Sequence, residues 1–163
     1  MVVIGLDGAR PELVRDHSTG AMRTLVTEGA HTWRAEASVP SVTHVNFAGI
    51  LTSSRPEKHG IDQLAWDKAV ILKVKAPTIF EVLAAHERSG AAFLGHEKLY
   101  PSETPARGTH FVHSPHGANQ AAPLAASWMR EHKPAFTFIY FGNLDGVGHT
   151  HGWMSAEQIA AMK

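Results

Sequence analysis

Cysteine is absent from the 163 residues of this chain. Disulfides, thiolate zinc sites and a cysteine nucleophile are thereby excluded, and the redox compartment stays open, because a chain without thiols suits either side of a membrane. A surplus of one charge is missing too. Lys plus Arg and Asp plus Glu come to 15 each, so no basic excess points to nucleic acid. No apolar run approaches the ~20 residues that a helix needs to cross a bilayer. The chain opens directly in a strand-like run, with no basic n-region or cleavage site. The expectation is a cytoplasmic protein, or one whose chain starts after a removed segment. Against these absences stand 44% hydrophobic and 18% charged residues, the balance of a globular domain and not of a disordered chain. The length suits one domain of the usual ~100–200 residues. Histidine is abundant, at 12 residues, and its imidazole is the commonest metal ligand.

Hydrophobic patterning predicts strands alternating with helices, hence a parallel sheet with helices packed on it. Residues 2–6 and 135–141 are apolar runs expected to be strands buried on both faces. Residues 91–94 and 109–113 are shorter strand candidates, and 30–37 is another, since His31, Trp33 and Ala35 alternate with polar neighbours. Helices are expected from Pro11, where proline is tolerated in a first turn, over 20–28 with Gly29 as the stop, over 44–52, from Thr78 to a closing Gly90, over 119–132, and from Ser155 onward. Residues 95–118 hold many Gly, Pro, Ser and His and read as irregular. Trp33, Phe47, Phe80 and Phe93 are the expected aromatic core.

Two of the strand-like runs end alike. Val2-Val3-Ile4-Gly5-Leu6 leads into Asp7-Gly8, and Phe138-Ile139-Tyr140-Phe141 leads through Gly142-Asn143-Leu144 into Asp145-Gly146-Val147-Gly148-His149. Ligands of open α/β sheets gather outside the carboxyl ends of the strands, so two carboxylates and an imidazole delivered there suggest a metal centre. Asp-Gly is also ordinary turn chemistry. The glycines at 146 and 148 argue for a loop wrapped closely around something, because glycine permits unusual backbone angles and close approach. A carboxylate paired with an imidazole suits zinc or a similar divalent ion. Between these segments lies Pro40-Ser41-Val42-Thr43-His44-Val45-Asn46. Thr43 can be a plain helix N-cap. The same position also sets its hydroxyl beside free N–H groups that favour an anion such as phosphate. His110, His113 and His116 recur every third residue, a spacing that admits a second metal site, but the segment reads as strand and loop, so they do not share a helical face and the plain structural reading is favoured. His59 reads as structural, closing a loop.

Together these segments resemble the alkaline phosphatase superfamily, and most closely its type I phosphodiesterase/nucleotide pyrophosphatase branch. The matching pieces are Val3-Ile4-Gly5-Leu6-Asp7-Gly8-Ala9-Arg10-Pro11, then Pro40-Ser41-Val42-Thr43-His44-Val45-Asn46 with Leu51-Thr52 and Arg55-Pro56-Glu57-Lys58-His59-Gly60-Ile61, then Asp145-Gly146-Val147-Gly148-His149. The resemblance implies an α/β three-layer sandwich with a mainly parallel central sheet. It also implies two divalent metal ions, zinc by preference, and a small phosphorylated substrate. Asp7 and Thr43 would match ligands of one metal, with Thr43 also the nucleophile that becomes phosphorylated. Asp145 and His149 would match ligands of the other.

Two departures accompany the resemblance. The family's remaining ligands include an Asp-His pair within Asp-His-Gly and a final His. This chain has no Asp-His-Gly, and its one Asp-His is Asp16-His17, followed by Ser18. Residues 1–163 are therefore expected to be the N-terminal part of a single catalytic domain, incomplete at its C-terminus. After His59-Gly60-Ile61, where relatives often place an Asn toward a phosphate oxygen, the chain reads Asp62-Gln63-Leu64. The expected function is metal-dependent hydrolysis of a phosphodiester or nucleotide pyrophosphate. A truncated half-domain that binds metal weakly and turns nothing over is the alternative from another class. Phosphomonoesterase and sulfatase are the alternatives within the superfamily. The sulfatase is disfavoured because Ser38-Val39-Pro40-Ser41-Val42 lacks the Arg of that enzyme's modification pattern.

Overall fold

The computed structural model of the protein describes residues 1–62, 74–94, 109–113 and 118–163. Four strands within them form one parallel sheet: β1 (Val2–Leu6), β2 (Gly90–Leu94), β3 (Thr109–His113) and β4 (Phe136–Phe141), in the spatial order β1-β4-β2-β3. The helices are α1 (Pro11–His17), α2 (Gly20–Glu28), α3 (Thr43–Thr52), α4 (Pro56–His59), α5 (Ile79–Ala85), α6 (Ala118–His132), α7 (Asn143–His151) and α8 (Ala156–Met162). This is the mixed α/β, alkaline-phosphatase-like architecture.

Strand side chains alternate between faces, and the two faces carry separate cores. Phe136, Phe138 and Tyr140 of β4 lie with Ala92 and Leu94 of β2 on one face, where Phe47 of α3 and Phe80 of α5 cover them. Ile139 lies with Ala91 and Phe93 on the other, where Ala125 of α6 closes the layer, with Trp128 and Met129 packed beside it. Helices thus cover both sides of the central strands, as a parallel sheet requires.

That cover stops short of β1. Val2 and Ile4 pair with Thr137 and Ile139 on the α6 side of the sheet, and each is about half exposed (49% and 52%). The expectation that residues 2–6 are buried on both faces therefore fails. An apolar run specifies a strand, but its neighbours decide how much of it is covered. The opposite face of β1 is packed tightly: a Cβ at Gly5 would lie 2.5 Å from the Phe47 ring.

Three other expectations are corrected. Residues 30–37 form no strand, and Trp33 is half-buried against His31 at the surface, not in the core. The helix that starts at Thr78 ends at Ala85, with Glu87 taking the left-handed turn at φ 55°, so Gly90 opens β2 and does not close a helix. Gly90 is small because Phe80 crosses it, 2.9 Å from where a Cβ would stand. The segment around Asp145 is helix α7 and not a wrapped loop. Gly148 serves packing, since a Cβ there would meet the Trp153 ring at 2.3 Å, whereas a Cβ at Gly146 would meet nothing within 4 Å.

Candidate active site

β1 and β4 run side by side, and Asp7 N–H donates to Phe141 O at 3.0 Å, so the two strand ends are held level. Asp7 leaves β1 and reverses at Gly8, whose φ of +72° is left-handed and natural for glycine. Gly8 sits against Asp145, 2.6 Å from its Cα to where a Cβ would stand. Only a residue without a side chain lets the two segments approach so closely.

Thr43 is the first residue of α3. The cap position is Val42, and no side chain caps the helix. The Thr43 hydroxyl is thus free for another role, and it donates to Asp7 Oδ2 at 2.9 Å. The approach to the helix is braced by Asn46, whose Oδ1 accepts from Ser38 N–H at 2.7 Å and whose Nδ2 donates to Val42 O at 3.1 Å. Asp7 gathers two more donors. The Tyr140 hydroxyl reaches Oδ2 at 2.6 Å and Gly8 N–H reaches Oδ1 at 3.0 Å. Tyr140 is buried, and that burial, with the Asp7 carboxylate beside it, pushes its phenol well above the usual tyrosine range. It therefore stays a neutral donor to Asp7.

Asp145 and His149 stand one turn apart on α7, with His149 Nε2 at 3.5 Å from Asp145 Oδ1. The imidazole is largely exposed and meets the Trp153 ring edge-on at 5.2 Å between centroids. Asp7, Thr43, Asp145 and His149 all line one cavity of about 770 Å³, with Arg10 and Trp153 at its wall. Four residues spread over the length of the chain are so brought together.

His44 of α3 lines the same cavity, and several other histidines lie elsewhere. His110 is on β3, the sheet edge opposite β1, where it stacks on Trp128 at 4.6 Å, and Trp128 stacks in turn on His132 at 4.4 Å. His116 and Gln63 lie outside the described residues. His59 is fully buried in α4, its Nδ1 accepts from Ile61 N–H at 3.1 Å, and burial pushes its pKa below the usual histidine value. Sequence reasoning missed Tyr140 and Asn46 as members of the site. Tyr140 could have been read from its place in the strand: five residues before Asp145, on the face shared with Phe138.

Donor chemistry suits divalent metal at both pairs, since a carboxylate with a hydroxyl and a carboxylate with an imidazole are ordinary ligands. Donor number does not. Among the described residues no group of three His, Cys, Asp or Glu side chains gathers, whereas catalytic zinc takes about three protein ligands. The pairs are two partial shells.

A hydroxyl at a helix start, bonded to a carboxylate at the end of a parallel strand and facing one cavity, makes this the candidate active site of the mixed α/β fold. The chain belongs to the type I phosphodiesterase/nucleotide pyrophosphatase family, whose sequence profile matches residues 1–163. This family is generally metal-dependent. Comparison with curated protein sequences gives no match. Among solved structures, the chain is similar to murine ectonucleotide pyrophosphatase/phosphodiesterase 5, also solved as an inactive threonine-to-alanine variant in complex with AMP. The TM-score is 0.79 at 16% identity, covering 99% of this chain and 48% of that one. It is similar too to phosphonoacetate hydrolase from Sinorhizobium meliloti 1021 in complex with phosphonoacetate, with a TM-score of 0.67 at 18% identity, covering 98% of this chain and 49% of that one. The chain thus spans about half the length of these relatives. At such identities the likeness shows the fold.

Proposed function

We propose that residues 1–163 are the N-terminal part of one catalytic domain that hydrolyses a phosphodiester or nucleotide pyrophosphate through phosphorylation of Thr43. The observation that carries this reading is the Thr43 hydroxyl, held at 2.9 Å from Asp7 Oδ2 at the first residue of α3. In the reaction, Thr43 Oγ1 forms a bond to phosphorus as the bond to the leaving oxygen breaks, and the hydroxyl proton passes toward Asp7. Tyr140 and Gly8 N–H steady the Asp7 carboxylate while it receives that proton. The opening turn of α3 faces the phosphoryl oxygens with backbone N–H groups, which favour negative charge. A water oxygen then bonds to phosphorus as the bond from phosphorus to Thr43 Oγ1 breaks, the proton on Asp7 returns to Oγ1, and the water's proton leaves with the phosphate product. The murine relative of the same fold is inactive as a threonine-to-alanine variant, solved in complex with AMP, which fits a threonine nucleophile in this fold. Two divalent ions, zinc by preference, belong to the proposal through the family. When bound they would lower the pKa of a coordinated hydroxyl or water and clamp the displacement.

The assay is hydrolysis of bis(nitrophenyl) phosphate with added zinc and with chelator. Thr43→Ala is expected to lower turnover by at least about a thousandfold, the scale of losing a nucleophile. Turnover that survives the substitution would remove Thr43 from the reaction. A second reading is favoured by the two partial shells: a half-domain that binds metal weakly and turns nothing over. It is the correct one if zinc titration finds fewer than the roughly two ions of a two-metal site and the chain shows no chelator-sensitive activity.

A further inference from the structure

We propose that Gln158 is a positioning residue that fixes the spacing between the carboxylates of Asp7 and Asp145. The inference rests on reading those two carboxylates as one site. Gln158 lies on α8, which contributes no side chain to the cavity lining described above, and it is fully buried. A buried primary amide costs free energy unless its donors and acceptor are satisfied, and here they are. Nε2 donates to Leu144 O at 3.0 Å and to Gly8 O at 3.3 Å, while Oε1 accepts from Met154 N–H at 2.7 Å. Leu144 immediately precedes Asp145, and Gly8 immediately follows Asp7. One NH₂ group therefore ties together the two backbone segments that carry the carboxylates.

A tie alone sets no distance, and the structure also supplies a stop. Gly8 is packed against the Asp145 backbone so closely that a Cβ would fall 2.6 Å from Asp145 Cα. Hydrogen bonds draw the segments together and van der Waals contact halts them, so their separation is defined from both sides. Room for the amide comes from Gly148, where a Cβ would lie 2.8 Å from Nε2. The amide is aimed by the start of α8, where Ser155 Oγ accepts from Gln158 N–H at 3.2 Å. Glutamine is the residue type this arrangement needs. Glutamate would keep the acceptor for Met154 and lose both donors. Methionine would keep the length and lose every hydrogen bond.

The test reads NMR signals of the chain without substrate or metal, so its outcome is separate from that of the phosphodiesterase assay. In the wild-type protein the Gln158 side-chain amide protons are expected to be protected from solvent exchange, with nuclear Overhauser contacts to the Hα protons of Gly8 and Leu144. Their absence overturns the proposal without any variant, including where a variant fails to fold. Gln158→Met and Gln158→Glu are then compared. Both should speed amide exchange at Gly8 and in the first turn of α7 by about tenfold, the scale of one lost hydrogen bond. Both should also move the carboxyl carbon signals of Asp7 and Asp145, while that of Asp62 and the exchange of Ala92 and Phe138 stay unchanged. A wild-type-like Gln158→Met would show that Gln158 only fills space. A wild-type-like Gln158→Glu would show that only the Met154 contact matters. Uniform acceleration reaching Ala92 and Phe138 would show a general structural role. Each of these three results overturns the proposal.

Discussion

β1 and β4 are neighbours, run parallel and lead to one carboxylate each, yet they are built to different standards. Phe136, Thr137, Phe138, Ile139 and Tyr140 of β4 are all buried. β1 packs one face against Phe47 and leaves Val2 and Ile4 half open on the other. Burial of a strand does not decide the bonding at its end. Asp7, at the end of the open strand, holds three hydrogen bonds from Tyr140, Thr43 and Gly8. Asp145, after the buried strand, sits on a helix beside a largely exposed imidazole. A half-open strand thus ends at a well-bonded carboxylate, so strand burial and the bonding at the strand's end are separate properties. The first depends on what layers lie above and below the sheet, the second on what lies around the strand's end. β4 joins them, because Tyr140 is both a core residue and the closest donor to Asp7.

Four substitutions sharpen or break this contrast, read as shifts in urea denaturation. Phe138→Ala should be the most damaging, at about 3–5 kcal/mol for a buried aromatic in a packed core. A loss below about 1 kcal/mol would mean that β4 is not the stability-determining strand. Gly8→Ala should cost about 3 kcal/mol, combining a left-handed residue with overpacking against Asp145. It should also lower activity, since the two segments must move apart. Tyr140→Phe should cost about 1.5 kcal/mol, the value of a hydrogen bond to a charged group, with the ring packing against Phe47 unchanged. A larger loss would show that the hydroxyl supports more than Asp7. Ile4→Thr should fall within about 0.5 kcal/mol, as for other surface substitutions. If it matches Phe138→Ala, then β1 is covered in solution and the contrast disappears.

Much of this was legible beforehand, for identifiable reasons. The strands expected at 2–6 and 135–141 and the helices expected at 20–28 and 44–52 follow from local patterning, and all four appear with ends within one residue. Thr78 followed by Glu81 marks a helix start, and both halves of the capping box form. Asp7, Thr43, Asp145 and His149 were singled out because strand ends and helix starts gather ligands in α/β folds, and the four line one cavity. What failed were features that distant residues decide. The alternating run at 30–37 pairs with no strand among the described residues. The glycine-rich run at 145–149 is helical because Trp153 and Gln158 pack against Gly148. Gly90 is a strand residue because Phe80 lies over it.

The sequence by itself determined the alternation of strands and helices, the family, and the residue types that meet at the candidate site. Those depend on short-range periodicity and on the intrinsic chemistry of carboxylate, hydroxyl and imidazole. Tertiary structure alone decided which face of β1 is covered, that Tyr140 donates to Asp7 across 133 positions of sequence, and that Gln158 reaches back to Gly8 across 150. Which acceptor each of them reaches is not written in local pattern. A buried tyrosine or glutamine looks like any other until folding removes water from it, and each then takes whichever acceptor the packing brings within reach.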